Sequence, residues 1–224
     1  MADPRIPPCH HPSDERLLEY ASGAAPEPIA LLVATHLALC PACRRATAEL
    51  EAVGGALLET SPPEPVAEDS LARLLARLER PDPPAEPAAA VVAPQPGEPL
   101  LPEPLRGYVG GSLDRLAWRR LGPVAETRLL AGLAPLTTRI LKIRPGAAMP
   151  SHTHAGVELT LVLQGGFGDH TGHYLRGDVA EADSDVDHRP IADDDEPCLC
   201  LAVTDAPLRL TSRLGRMLNP FLRF

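Results

Sequence analysis

The sequence predicts an α+β protein of two domains, a small helical one at the N-terminus and a β-barrel at the C-terminus. Three observations carry that prediction. Before residue 81 apolar residues recur near the 3.6 spacing of a helix, whereas after residue 104 they fall into short alternating or β-branched runs. Between them lies PDPPAEPAAAVVAPQPGEPLLPEP, with nine prolines in 24 residues. Few groups there can sustain helix or ladder hydrogen bonds, so it reads as a semi-extended linker. The expected organisation is therefore residues 1–80, a linker over 81–104, and a barrel over 105–224. No internal repeat relates the two halves.

At 224 residues, either half can bury a modest core. The net charge of −9 argues against a nucleic-acid partner, because phosphate binding needs a concentrated basic face. No apolar run of about 18 residues is present and the opening MADPRIPPCHHPSDERLLEY has no apolar signal core, so neither a membrane span nor export is expected. The expected location is the cytoplasm. Five cysteines, Cys9, Cys40, Cys43, Cys198 and Cys200, are spaced unlike a secreted disulfide framework and point to reduced thiols or metal ligands. With aromatics at 3%, the core must be built from Leu, Val, Ile and Ala.

In the first half, residues 13–20 and 28–58 are rich in Ala, Leu and Glu and are expected to be helical. Ser13 can cap the first helix, although Arg16 stands where a capping box wants Glu or Gln. The segment SLARLLARL, Ser70–Leu78, places Leu71, Leu74, Leu75 and Leu78 on one stripe with Arg73 and Arg77 opposite. Such a helix either docks on its own domain or grips another protein. In the second half, runs at 137–143, 159–163, 178–182, 198–203 and 208–211 are separated by RPG, QGG, RGD and TDAP turn signals, the spacing of an all-β sandwich or barrel.

In ATHLALCPACRRA, His36, Cys40 and Cys43 stand at i, i+4 and i+7, which would place all three on one face of a helix kinked by Pro41. These donors suit Zn²⁺, and a closed tetrahedral site needs a fourth. His10, His11 and Cys9, just before the first helix, are the candidates. The competing reading is a His/Cys stripe that simply fills a core.

The segment GAAMPSHTHAGVELTLVLQG has the form G-x5-H-x-H-x3-E-x6-G. Period two puts His152 and His154 on one strand face, and Glu158 can return to the same interior point from the next strand. His188 is the third histidine expected to close the site. Three imidazoles and a carboxylate suit Zn²⁺, Fe²⁺, Mn²⁺ or Ni²⁺. This is the first cupin motif at each marked position. The second motif fits from Gly177 only in part: His188 is in register, but Asp183, Asp185 and Ala192 replace its Pro, Gly and Asn. His170 and His173, in GDHTGHYLRG, are expected on a solvent-facing hairpin turn.

Cys198 and Cys200 lie two apart in an expected strand, so both face one way, toward the core or toward the metal, and a disulfide between them is disfavoured. They are core residues or, in the sharper reading, redox-sensing thiols near the metal. Eight acidic residues between 181 and 196 flank His188 and read as a solvated rim.

The text HHPSDERLLEYASG…ATHLALCPACR…AVGGALLE resembles the zinc-binding anti-sigma domain, and within it the ChrR subfamily. The likeness continues through GVELTLVLQG and DEPCLCLAVTDAPLRL to cover most of the chain. By the match, the family's zinc ligands fall on His11, His36, Cys40 and Cys43, with His10 as competing first ligand. The resemblance implies a helical domain that wraps an alternative sigma factor of the extracytoplasmic-function type and blocks its access to RNA polymerase. It also implies a cupin half that is dispensable for holding sigma and required to sense singlet oxygen, or organic hydroperoxide in some relatives. The expected function is thus a non-enzymatic anti-sigma factor with two zinc sites, the cupin metal being open to other divalent ions. The rivals are a metal-dependent cupin dioxygenase or isomerase carrying an accessory zinc domain, and a zinc-stabilised adaptor for some other protein.

Overall fold

A computed structural model describes residues 7–80 and 100–211. Most of the expected linker, residues 81–99, lies outside the described residues; of the remainder, Leu101 is buried and a helix opens at Glu103. The helical half contains α1 (Asp14–Ala21), α2 (Glu27–Leu39), α3 (Pro41–Thr60) and α4 (Ser70–Leu78). A fifth helix, α5 (Glu103–Val109), and a 3-10 turn, Leu113–Arg115, lead into the barrel. Ser13 takes the N-cap position of α1, but its hydroxyl makes no capping bond and reaches instead to Glu181 at 3.5 Å.

The single helical stretch expected over 28–58 is broken. Pro41 lacks an N–H and disfavours helical geometry in the residue before it, so Cys40 is extended (φ −109°, ψ 104°) and α2 and α3 are separate helices. His36, Cys40 and Cys43 therefore do not share one helix face: they lie in the last turn of α2, at the break, and in the first turn of α3.

The barrel strands are β1 (Arg119–Leu121), β2 (Val124–Leu129), β3 (Thr137–Ile143), β4 (His152–His154), β5 (Glu158–Gln164), β6 (Gly166–Gly168), β7 (His173–Leu175), β8 (Val179–Ala182), β9 (Ile191–Ala192), β10 (Cys198–Thr204) and β11 (Leu208–Leu210). One sheet runs β1-β2-β3-β10-β5-β8, antiparallel throughout. The pairs β11-β4 and β7-β6-β9 form the opposing layer, linked by bridges between Ala148 and Ile191 and between His152 and His188.

Strand β10, CLCLAVT, is buried at every position, and its period-two alternation explains why. Cys198 and Cys200 point into the barrel with Val162, Phe167 and Tyr174. Leu199, Leu201 and Val203 point the other way, into a cluster shared with Ile29, Leu32 and Val33 of α2 and with Leu105 and Val109 of α5. The helical half thus covers the outer face of the large sheet, and one apolar core belongs to both halves. Leu32 and Leu201 have no exposed surface, so each contributes on the order of 2 kcal/mol of burial. By contrast α4 has no buried residue, and its four leucines are 50–74% exposed. Among the described residues no helix is long and apolar enough to cross a membrane.

Candidate metal centres

The first cluster forms where α1, α2 and α3 meet. The segment before α1 brings His11 to the Pro41 break, with its Nδ1 at 3.5 Å from Cys40 Sγ and 3.4 Å from Cys43 Sγ. His36 is fully buried; its Nδ1 lies 2.7 Å from the Gly177 carbonyl oxygen. Because a carbonyl only accepts, that nitrogen carries the proton and donates, leaving a bare lone pair on Nε2. Nε2 is buried and has no hydrogen-bond partner in the protein. One donor atom from each of His11, His36, Cys40 and Cys43 lies within 4.8 Å of every other.

Donors around a tetrahedral zinc sit about 3.4–3.8 Å apart, given bonds of about 2.1–2.3 Å, so the spacing of His11 from the two sulfurs fits such an ion, and the orphaned His36 nitrogen offers its lone pair to the same cluster. Burial pulls the His36 pKa down to about 4 and, with a hydrogen bond in which the Cys43 thiol donates to Cys40, pushes the Cys43 thiol up to about 12. The structure brings His11 rather than His10 to the thiols. His10 lies instead against Tyr174, with ring centroids 4.5 Å apart, and Cys9 is exposed.

The second cluster lies between β4 and the segment before β9. His188 Nε2 is 3.0 Å from His152 Nε2 and 3.1 Å from His154 Nε2, and all three rings are buried. His152 Nδ1 donates to the Pro150 carbonyl at 2.7 Å, and His188 Nδ1 donates to Asp169 Oδ2 at 2.8 Å. These partners fix the tautomers of His152 and His188, so that their two Nε2 lone pairs face one another with no proton between them, while the Nδ1 of His154 is buried without a hydrogen-bond partner. A divalent cation relieves that convergence, and the nitrogen spacing is that of adjacent donors about 90° apart on one six-coordinate ion with bonds of about 2.1 Å, closer than the tetrahedral separation.

Burial and the neighbouring His152 lower the His154 pKa to about 4, and burial likewise lowers that of His188. Glu158 lies outside the convergent trio: its Oε2 is 3.6 Å from the other nitrogen of His154, and its Oε1 accepts from Thr160. Asp169 is held ionised: burial raises its pKa, but the hydrogen bonds from Thr171 and His188 outweigh it.

Beside His188 a cavity of about 420 Å³ opens between Ser151, His170, Asp187, Arg189 and Thr211. His173 is solvent-facing and pairs with Asp193 at 2.9 Å. Cys198 and Cys200 are free and fully buried, with their sulfurs 3.4 Å apart. The shared thiol hydrogen bond and burial push Cys200 well above the ordinary thiol range.

Sequence reasoning missed the groups that aim these rings. Asp169, the Pro150 carbonyl and the Gly177 carbonyl carry no motif. Asp178 stood in the RGD turn signal with no sign of its partners.

A model of the ChrR cupin-like domain matches residues 109–207. The chain is 44% identical over 214 residues to the anti-sigma-E factor ChrR of Cereibacter sphaeroides, spanning 96% of this chain and 98% of that one. It superposes on the crystal structure of Rhodobacter sphaeroides SigE in complex with the anti-sigma ChrR with a TM-score of 0.73 at 41% identity, covering 87% of this chain and 98% of the other.

Proposed function

This chain belongs to the ChrR family of anti-sigma factors, and on that premise we propose that it sequesters an alternative sigma factor of the extracytoplasmic-function type and releases it under oxidative stress. Its role is regulatory, not enzymatic. The observation that carries the reading is the exposed apolar surface of the helical half. The α4 leucines stand in solvent together with Val53, Leu57 and Leu58 of α3, while α2 packs on the barrel strand β10 and α1 and the first turns of α3 pack against α2 and each other. An amphipathic helix with no docking face among the described residues is suited to a partner's groove.

In this reading His11, His36, Cys40 and Cys43 hold a structural zinc that pins α2, α3 and the segment before α1 around the Pro41 break. A small helical unit gains needed folding energy from such a site. His152, His154 and His188, with Glu158 against the His154 ring, hold a second zinc or another divalent metal that serves as the oxidant-sensing centre. When bound, the metals supply fixed bonds to the helical hinge and a Lewis-acidic centre to the barrel. Access to the barrel site runs through the cavity beside His188, wide enough for a small oxidant such as singlet oxygen or an organic hydroperoxide. Cys198 and Cys200 are proposed as redox-sensing thiols on the basis of their 3.4 Å separation inside the same barrel, where burial leaves them to a small diffusible oxidant and closes them to bulky reagents. We infer a helical unit over residues 1–80 and a cupin unit over 105–224, joined by residues 81–104, with α2, α5 and β10 sharing one apolar core.

The test is transcription in vitro. The full chain is expected to suppress initiation by its sigma factor, and suppression is expected to fall away when zinc is removed from the helical site. An undiminished transcript in the presence of excess zinc-loaded chain overturns the reading.

A further inference from the structure

Asp178, in the turn between β7 and β8, is 4% exposed although it carries a charge. Its carboxylate accepts backbone N–H bonds from Cys9 at 2.7 Å and His10 at 3.0 Å through Oδ1, and from Leu175 at 2.9 Å through Oδ2. The His10 ring nitrogen lies 3.3 Å from Oδ2, and Val179 N–H donates to the His10 carbonyl at 3.1 Å. The two residues before His11 are thereby fastened to the barrel, and the adjacent Gly177 carbonyl aims His36. Two of the four donors of the helical cluster are oriented by one barrel turn.

A continuous set of contacts joins the same turn to the other cluster. His188 donates to Asp169, whose other oxygen accepts from the Thr171 amide and hydroxyl. The Thr171 hydroxyl is 3.0 Å from the Tyr174 hydroxyl, and the buried Tyr174 ring lies on His10. The chain of contacts from His188 to the residue beside His11 has no gap.

We propose that the segment Asp169–Asp178 is the coupling element between the two clusters, with Asp178 a positioning residue for the helical metal site and Tyr174 the joint that reports on His188. The inference rests on the anti-sigma reading only for its purpose: an event at the barrel then loosens the helical site that holds the partner. Outer partners that aim metal ligands commonly change affinity by about 10–100-fold when removed, so the effect is measurable.

The experiment follows metal retention and not sigma binding. Full-length zinc-loaded chain is treated with an alkylating reagent, and modification of Cys40 and Cys43 is timed by peptide mass mapping. Asp178→Ala is expected to accelerate their labelling about tenfold or more; a parental rate overturns the proposal. Should that variant unfold, Asp178→Asn, which keeps an acceptor for the Cys9 and His10 amides but loses the oxygen that faces the Leu175 amide and the His10 ring, is expected to accelerate labelling by a smaller factor, about twofold to threefold, and a parental rate there overturns the proposal.

His188→Ala is expected to accelerate labelling about threefold or more in the chain with Tyr174 and to have little further effect in the Tyr174→Phe chain, where ring stacking survives and the hydroxyl joint does not. Equal acceleration in both backgrounds overturns the relay, since a merely structural role for Tyr174 predicts it. If the zinc-loaded parent labels as fast as metal-free chain, the assignment of the helical zinc site fails, and this proposal with it.

Discussion

His36 of α2 donates from Nδ1 to the Gly177 carbonyl at 2.7 Å, a bond that crosses from the helical half to the barrel. Gly177 allows the approach. Its φ of +95° is costly for other residues, and a Cβ there would sit 2.6 Å from Pro8 Cγ and 3.5 Å from Leu39 Cβ. Gly177→Ala is expected to destabilise the chain by about 1–3 kcal/mol, lowering Tm by roughly 2–10 °C for a protein of this size. Thermal unfolding followed by circular dichroism checks it, and an unchanged midpoint would show that the turn tolerates a side chain.

Zinc uptake by the helical cluster has a predicted pH sign. With Cys43 pushed up to about 12 in the metal-free chain, its thiol is protonated at neutral pH, whereas His36, pulled down to about 4, already offers a neutral lone pair. Binding therefore expels thiol protons, roughly two if both sulfurs ligate as thiolates, and apparent affinity rises by about a decade per pH unit for each. Calorimetry in buffers of different ionisation enthalpy counts those protons. Affinity independent of pH between 6 and 8 would falsify thiolate ligation.

The α4 stripe separates binding from folding. Leu71 and Leu74 are 66% and 52% exposed, so Leu71→Asp and Leu74→Asp should change stability by no more than about 0.5 kcal/mol. Affinity for the sigma factor, measured by a titration of labelled sigma, is expected to fall about tenfold or more, the loss typical of an anchor residue. Parental affinity in both variants would remove α4 from the interface.

The three thiols outside the helical cluster should react in a definite order. Cys9 is exposed and is expected to be alkylated first. Cys198 and Cys200, fully buried and hydrogen-bonded to one another, should label only through unfolding, about 10³-fold or more slowly for a domain stable by about 5 kcal/mol. Rapid labelling of either one in the folded chain would reveal local opening of β10.

The long strands were the legible part of the barrel. Runs such as TTRILKI and CLCLAVT carry β-branched or alternating residues over seven positions, and the structure has strands there. Short strands such as β1, β6 and β9 were not legible, because two or three residues hold no periodicity and pair only through tertiary neighbours. In the clusters, imidazole and thiol spacing pointed to the donors themselves. The break at Cys40 goes beyond the kink that Pro41 alone predicts, because the extended residue before the proline makes it the boundary of two helices. Asp178 and Gly177 act at a sequence distance of about 140 residues or more from His36 and His10, and no local pattern encodes such partners. What covers each face of β10 was equally silent: a run of Cys, Leu, Ala and Val is apolar on both sides, and nothing local tells that α2 and α5 meet one of them.

The tie between Cys9, His10 and Asp178 also sets an order of events during synthesis. Cys43 completes the four donors, yet the carboxylate that fastens the segment ahead of them is translated about 135 residues later, roughly 7–27 s at about 5–20 residues per second. For that interval the nascent helical unit has its metal ligands without the barrel's grip. The tie is thus the last part of the helical site to be made, and a chain that stops short of residue 178 carries the ligands permanently in their unfastened form.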